Sequence, residues 1–297
     1  LTQAQQISEK AYGITGQVSS LTLNALSVVA AKVALGGMDQ LSFLIVYQAW
    51  ILILTAFFIT RGSLWRFLAN KCGIGVVAAI VISNLAYYYG LQHLDPASHS
   101  LIVRSYVIYG MLISVLFLGE KLTGFRATLG LLCVLGTILC AWPDSPDPLR
   151  WMAAAITSFA ALMFAVYSAL LRAMPGGASV FSALFLSSVM LVPSLYIYTG
   201  STISDVAGSM VNLPAFLAAL FFTSSLYVYN ISARYMDFFG VSALRAGSPI
   251  AVMILAYPIF GLSLTWFEFL GIIIVIVSLW ALFSEHQLTR FMRSCLR

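Results

Sequence analysis

The sequence predicts an all-α membrane protein of ten transmembrane helices arranged as a five-plus-five inverted repeat. Of its 297 residues, 61% are hydrophobic and 8% charged, with a mean hydropathy of +0.97. That is too little polar surface to cover a water-soluble globule of this size. Apolar runs of about 20 residues, each able to cross a hydrocarbon core of roughly 30 Å, follow one another along the chain. The chain also repeats itself: a shift of 141 positions superposes Ser83 on Ser224, Tyr88 on Tyr229, Arg104 on Arg245, Ile113 on Ile254, Gly130 on Gly271 and Val134 on Val275.

Ten spans are read at roughly 14–35, 41–60, 72–91, 99–118, 122–141, 151–172, 179–199, 213–233, 240–260 and 264–284, forming repeats over 14–141 and 151–284. The longest polar interruptions, Arg61 to Lys71, Trp142 to Arg150 and Gly200 to Asn212, are of ordinary loop size, so no water-soluble domain is expected. The polar opening LTQAQQISEK ends in no small-residue cleavage site and reads as a cytoplasmic lead-in. Cys72, Cys133, Cys140 and Cys295 lack paired spacing, so neither a disulfide framework, a metal site nor a cofactor is expected.

Orientation follows from the cations. One side of a ten-span topology carries Lys10, Arg61, Arg66, Lys71, Lys121, Arg126, Arg172, Arg234, Arg290, Arg293 and Arg297, and the other only Lys32 and Arg150. The positive-inside rule makes the first side cytoplasmic, with both termini on it. The +5 formal charge is then topology signal, with nothing to support a nucleic-acid partner.

Taken in order, span 1 carries Ser19, Ser20, Thr22, Asn24 and Ser27 and its counterpart span 6 carries Thr157, Ser158, Tyr167 and Ser168. Small hydroxylated residues more often pack helices than bind ligands, although Asn24 joins the candidate site. Lys32 and Arg172 lie at span ends and are expected to snorkel. Spans 2 and 7 are nearly featureless apart from Tyr47, Gln48 and Pro193. In span 3, Asn84, Tyr87 and Tyr88 share one helical face, and span 8 answers with Ser225, Tyr229, Tyr227 and Asn230. Those tyrosines read either as an interfacial aromatic belt or as cavity lining. Spans 4 and 9 carry Arg104 and Arg245, placed symmetrically about the membrane centre, with Tyr106 and Ser248 close by in sequence. Spans 5 and 10 complete each repeat.

A charged side chain well inside a span costs roughly 2.5–3.5 kcal/mol on insertion scales and usually faces a cavity or a partner. An odd number of spans per repeat forces opposite orientations on the two halves, which puts a binding site at the midplane between them. All ten acidic residues fall in loops, tails or span ends. The two arginines are therefore either held by backbone carbonyls or await an anionic ligand.

Beside these residues, the turn HLDPASHSL after span 3, FLGEKLT closing span 4 and RATLGLLCVLGTIL in span 5 resemble the EamA-domain branch of the drug/metabolite transporter superfamily, over about residues 14 to 284. The resemblance implies a carrier of small metabolites. Relatives include amino-acid exporters, nucleotide-sugar carriers and triose-phosphate carriers, and in the phosphate carriers basic residues on the fourth and ninth helices hold the anion, the helices that carry Arg104 and Arg245 here. Some features depart from the pattern. Span 9 closes in FGLSLT without an equivalent of Glu120, and the helix-opening proline present as Pro249 is replaced near Val107 and Ile108. The first-helix glutamate of the small multidrug relatives is absent, which argues against a cationic substrate.

The expected function is a secondary transporter working by alternating access, moving an organic anion, phosphorylated or carboxylate, between Arg104 and Arg245. Tyr88, Tyr229, Asn84, Asn230, Tyr87, Tyr106, Ser248, His99 and Asn24 complete the candidate site. An amino-acid or amine exporter of the same fold is the alternative, followed by a non-transporting or lipid-handling membrane protein. His93, His99 and His286 lack a nucleophile or metal-ligand spacing beside them, so no enzyme is expected. Two fixed charges in an empty cavity resist closure, which predicts anion exchange, an antiporter, with His99 at most modulating it. The expected setting is a bacterial inner membrane and the expected state a monomer or weak dimer.

Overall fold

Short polar side chains set where the apolar runs begin as helices. The computed structural model describes residues 3–106, 108–110, 112–113, 124–141, 148–174, 180–200, 208–232, 235, 248–261, 266–267, 269–278 and 280–281. Helices run α1 Gln3–Gly37, α2 Gln40–Ala56, α3 Arg61–Leu68, α4 Lys71–His93, α5 Pro96–Val103, α6 Gly124–Ala141, α7 Pro148–Ala173, α8 Val180–Thr199, α9 Leu213–Ser232, α10 Ser248–Phe260 and α11 Phe269–Ser278. No strand occurs among the described residues. Asp39 caps α2 by accepting from the N–H groups of Leu41 and Ser42, and Thr60 and Asn70 do the same for α3 and α4. Asp95 caps α5, where Pro96 takes the first-turn position that needs no N–H partner. Burial works against the charge of Asp39, but the hydrogen bonds from Ser42 and Leu41 outweigh it and hold the carboxyl below its ordinary value.

Among the described residues, five helices are long and apolar enough to cross a membrane: Ala11–Gly37, Lys71–His93, Pro148–Leu171, Val180–Thr199 and Leu213–Ser232. Shorter apolar helices stand at Gln40–Ala56, Ser248–Phe260 and Phe269–Ser278, where further spans were expected. Large apolar side chains such as Leu131, Ile197 and Ile254 are exposed on the outside of their helices, as expected of helices that face lipid.

Span 4 differs from the expectation of one helix over 99–118. α5 ends at Val103, and the N–H groups of Arg104 and Ser105 bond back three residues, to Leu101 and Ile102, before helix resumes around Tyr106. Tight bonds of this kind break the regular ladder, and the break falls on the arginine.

Helix packing is reciprocal. α1 packs along α9 and α4 along α7, while α2 packs on α8 and α5 on α10. The secondary contacts follow the same rule: α10 touches α1 as α5 touches α7, and α9 touches α2 as α8 touches α4. The two longest seams are tight because each has a glycine facing a hydroxyl residue. A Cβ on Gly16 would press into Ser232, and one on Gly90 into Thr157. Under the 141-residue shift Gly16 corresponds to Thr157, and Gly90 falls one position from Ser232, so glycine and hydroxyl exchange helices between the seams. Backbones that approach this closely gain the dispersion contacts that hold helices together where lipid offers no hydrophobic advantage.

Polar pairs then fix the register of α1 on α9. Gln17 Nε2 donates to Ser232 Oγ at 2.9 Å and to the Tyr229 carbonyl at 3.3 Å. Ser20 and Ser225 exchange bonds of 2.9 and 2.8 Å to each other's carbonyls, and Ser27 donates to the Ala218 carbonyl at 2.8 Å. Between α2 and α8, the Ser188 hydroxyl donates to Gln48 Oε1 at 2.6 Å, both side chains fully buried. The main apolar cluster, including Phe43, Leu44, Tyr47, Ile51 and Tyr88, joins α2 and α4 to α1, α8 and α9.

Candidate functional site

The break after α5 brings Arg104 against the other half of the chain. Its Nη2 donates to the Oγ of Ser248 in α10, and its guanidinium lies 6.0 Å from the Tyr106 ring centroid. Ser248 is buried and Arg104 half-buried. A guanidinium on a membrane-spanning segment keeps its positive charge beside the neutral Ser248 hydroxyl, an arrangement suited to a negative group. Arg104, Tyr106 and Ser248 are thus brought together; Arg245 lies outside the described residues.

A second group forms beside it on α4 and α5. His99 is fully buried. Its Nε2 lies 3.0 Å from the Tyr87 carbonyl, which can only accept, so this nitrogen carries the proton. The His99 ring meets the Tyr87 ring edge-on at 4.4 Å between centroids. α5 turns His99 inward against α4, with the ring close to where a Gly90 side chain would be.

The remaining candidates separate. Tyr88 is buried with its ring 5.0 Å from those of Phe43 and Tyr47. Asn230 Nδ2 returns to its own helix at the Leu226 carbonyl, 2.7 Å away. Tyr229 presents a carbonyl to Gln17, and Asn84 and Asn24 are half-buried on α4 and α1.

Lys32 does not snorkel. Its ammonium donates to three carbonyls, Leu91 at 2.8 Å, Gln92 at 2.8 Å and Leu94 at 2.7 Å, where α4 ends. The terminal carbonyls of a helix have no partners within it and carry the negative end of the dipole, so an ammonium there is better placed than one stretched toward water. Gln17 and Lys32 are the polar residues whose contacts the sequence reading missed. The 3–4 residue spacing of Gln17, Ser20, Asn24 and Ser27 is the signal that marks a polar stripe on α1. Among the described residues, no group of three His, Cys, Asp or Glu comes together as a metal site would need.

Comparison with known proteins agrees with this architecture. Residues 11–142 match the EamA-like transporter family, which supports the resemblance to the drug/metabolite transporter superfamily over the first half of the chain. That match points to a multi-pass membrane protein that transports small molecules. No curated protein matches the sequence. A solved structure described only as a crystal structure of a protein aligns with 93% of this chain and 95% of its own, at a TM-score of 0.56 and 16% identity, a likeness of fold alone.

Proposed function

We propose that the protein is a secondary carrier of small organic anions, phosphorylated or carboxylate, with Arg104 as the principal anion ligand and Arg245 as its counterpart. The observation that carries this reading is the position of Arg104, at a break in its span and in contact with Ser248 of α10 in the other half of the chain. Carriers bind at discontinuous helices of this kind, near the interface between the two repeats. The reciprocal packing of the segments 14–141 and 151–284 supports a five-plus-five inverted repeat, and with it alternating access. Exchange follows from the electrostatics: a bound anion neutralises the arginines and allows closure, whereas the empty cavity resists it. In this reading both termini are cytoplasmic and the setting is a bacterial inner membrane.

The test is a thermal-shift screen of the purified protein against sugar phosphates, dicarboxylates, nucleotides and amino acids. A ligand at about 100 times its Kd stabilises by about 2.7 kcal/mol, readily seen as a raised Tm. One anionic class should stabilise the wild type and lose that effect in Arg104→Gln. Stabilisation by amino acids alone, or an anion effect unchanged in Arg104→Gln, overturns the reading.

A further inference from the structure

The end of the bundle where α4 turns into α5 is tied together by charges from three helices. Lys32 on α1 reaches the Leu91, Gln92 and Leu94 carbonyls at 2.7–2.8 Å. The next residue, Asp95, caps α5 through Ser98 and faces Arg150 of α7, Nη2 to Oδ2 at 4.0 Å. Lys32 also lies within electrostatic reach of Asp95. The cluster therefore connects α1 to the α4–α5 corner, and that corner to α7. α1, α4 and α5 belong to the first half of the chain and α7 leads into the second, so the Lys32 bonds join helices of one half and the Asp95–Arg150 pair crosses between the halves.

We propose that Lys32 is a latch residue: its hold on the α4–α5 corner keeps this end of the bundle closed, and opening this end requires the ammonium to leave those carbonyls. The inference rests on the carrier reading, since only a carrier needs the end to open. Three features support it. Three short bonds to one ammonium are broken or kept together, so the contact behaves as a two-position element rather than a yielding surface. The helix it holds leads within ten residues to Arg104, so movement of the corner is transmitted to the site. Behind the latch, Ser98, His99 and Ser100 are buried, and they become reachable from solution when the corner lifts. The opposite end of the bundle, where Ser63 of α3 meets Ser182 of α8 at 3.1 Å, carries no part of this cluster.

The experiment uses the full chain with its four cysteines replaced, carrying a reporter Ser100→Cys or Ala183→Cys, both at buried positions at opposite ends. The rate of modification by a membrane-impermeant methanethiosulfonate is measured in micelles. With Lys32→Met the Ser100→Cys reporter should react at least tenfold faster, while Ala183→Cys stays unchanged or slows. Lys32→Gln retains two N–H donors and should give an intermediate rate; if Lys32→Met fails to fold, Lys32→Gln alone decides. An unchanged Ser100→Cys rate overturns the latch, and so does a rise in both reporters together, which marks general loosening. The readout needs no substrate, so a negative result here leaves the anion reading to the ligand screen.

Discussion

Gly16→Ala should loosen the seam between α1 and α9. The added Cβ would lie closer than 3.0 Å to Ser232 and 3.7 Å from its Cα. Carbon atoms settle at about 3.5–4.0 Å, so the helices must part by at least about half an ångström. Rotating the serine does not relieve this, because its Cβ is the atom met first. Overpacking of this kind costs about 1–3 kcal/mol. The same shift stretches the Gln17 bonds to Ser232 and Tyr229, already 2.9 and 3.3 Å, and interhelical bonds in membranes average about 0.6 kcal/mol. Against these stands a gain of about 0.5–1 kcal/mol from replacing glycine within a helix. The net expectation is a loss of about 2 kcal/mol, read as a shift of the unfolding midpoint in a titration of mixed micelles with dodecyl sulfate. Gly36→Ala is the control, since nothing lies within 4 Å of a Cβ there. If Gly16→Ala is as stable as Gly36→Ala, the close seam is not what holds α1 to α9.

Further outcomes follow from the same contacts. Gly90→Ala should cost less than Gly16→Ala, since the nearest atom is the Thr157 hydroxyl, which can rotate at the loss of its 2.8 Å bond to the Ala153 carbonyl; Gly90→Ala combined with Thr157→Ala should recover most of that stability in the same titration. Ser188→Ala should destabilise by about 1–3 kcal/mol because it leaves the buried Gln48 carbonyl unpaired, whereas Ser188→Ala with Gln48→Leu should approach the wild type, as a double-mutant cycle would show. Asp39→Ala removes the α2 cap and should cost about 0.5–1 kcal/mol at neutral pH. The Asp39 carboxyl is held below its ordinary value, so its contribution is complete above that value of 3.8 and disappears as pH falls through the lower folded value; wild type and variant should converge on acidification.

Much of the architecture was legible because it rests on one-dimensional properties. Span length and hydropathy follow from bilayer thickness, and the 141-residue shift that aligns Gly16 with Thr157 already contains the exchange seen in the two seams. The break at Arg104 and Ser105 was not legible: no glycine or proline marks it, and the carbonyls it leaves are set by packing of α5 on α10 rather than by local propensity. The packing of Tyr88 was not legible, because a phenol on a shared helical face says nothing of its neighbours until Phe43 and Tyr47 arrive from α2. Lys32 misled for a related reason, since the helix end that attracts it is 59 residues away in sequence.

The central claim is that Arg104 binds the transported anion. Its most direct test is counterflow into proteoliposomes preloaded with the anion found in the ligand screen. Wild-type protein should accumulate labelled anion against unlabelled anion and far more slowly into empty vesicles, and Arg104→Gln, reconstituted to the same density, should transport at no more than a few per cent of that rate. Wild-type counterflow by Arg104→Gln would contradict the claim and make Arg104 a structural link to Ser248.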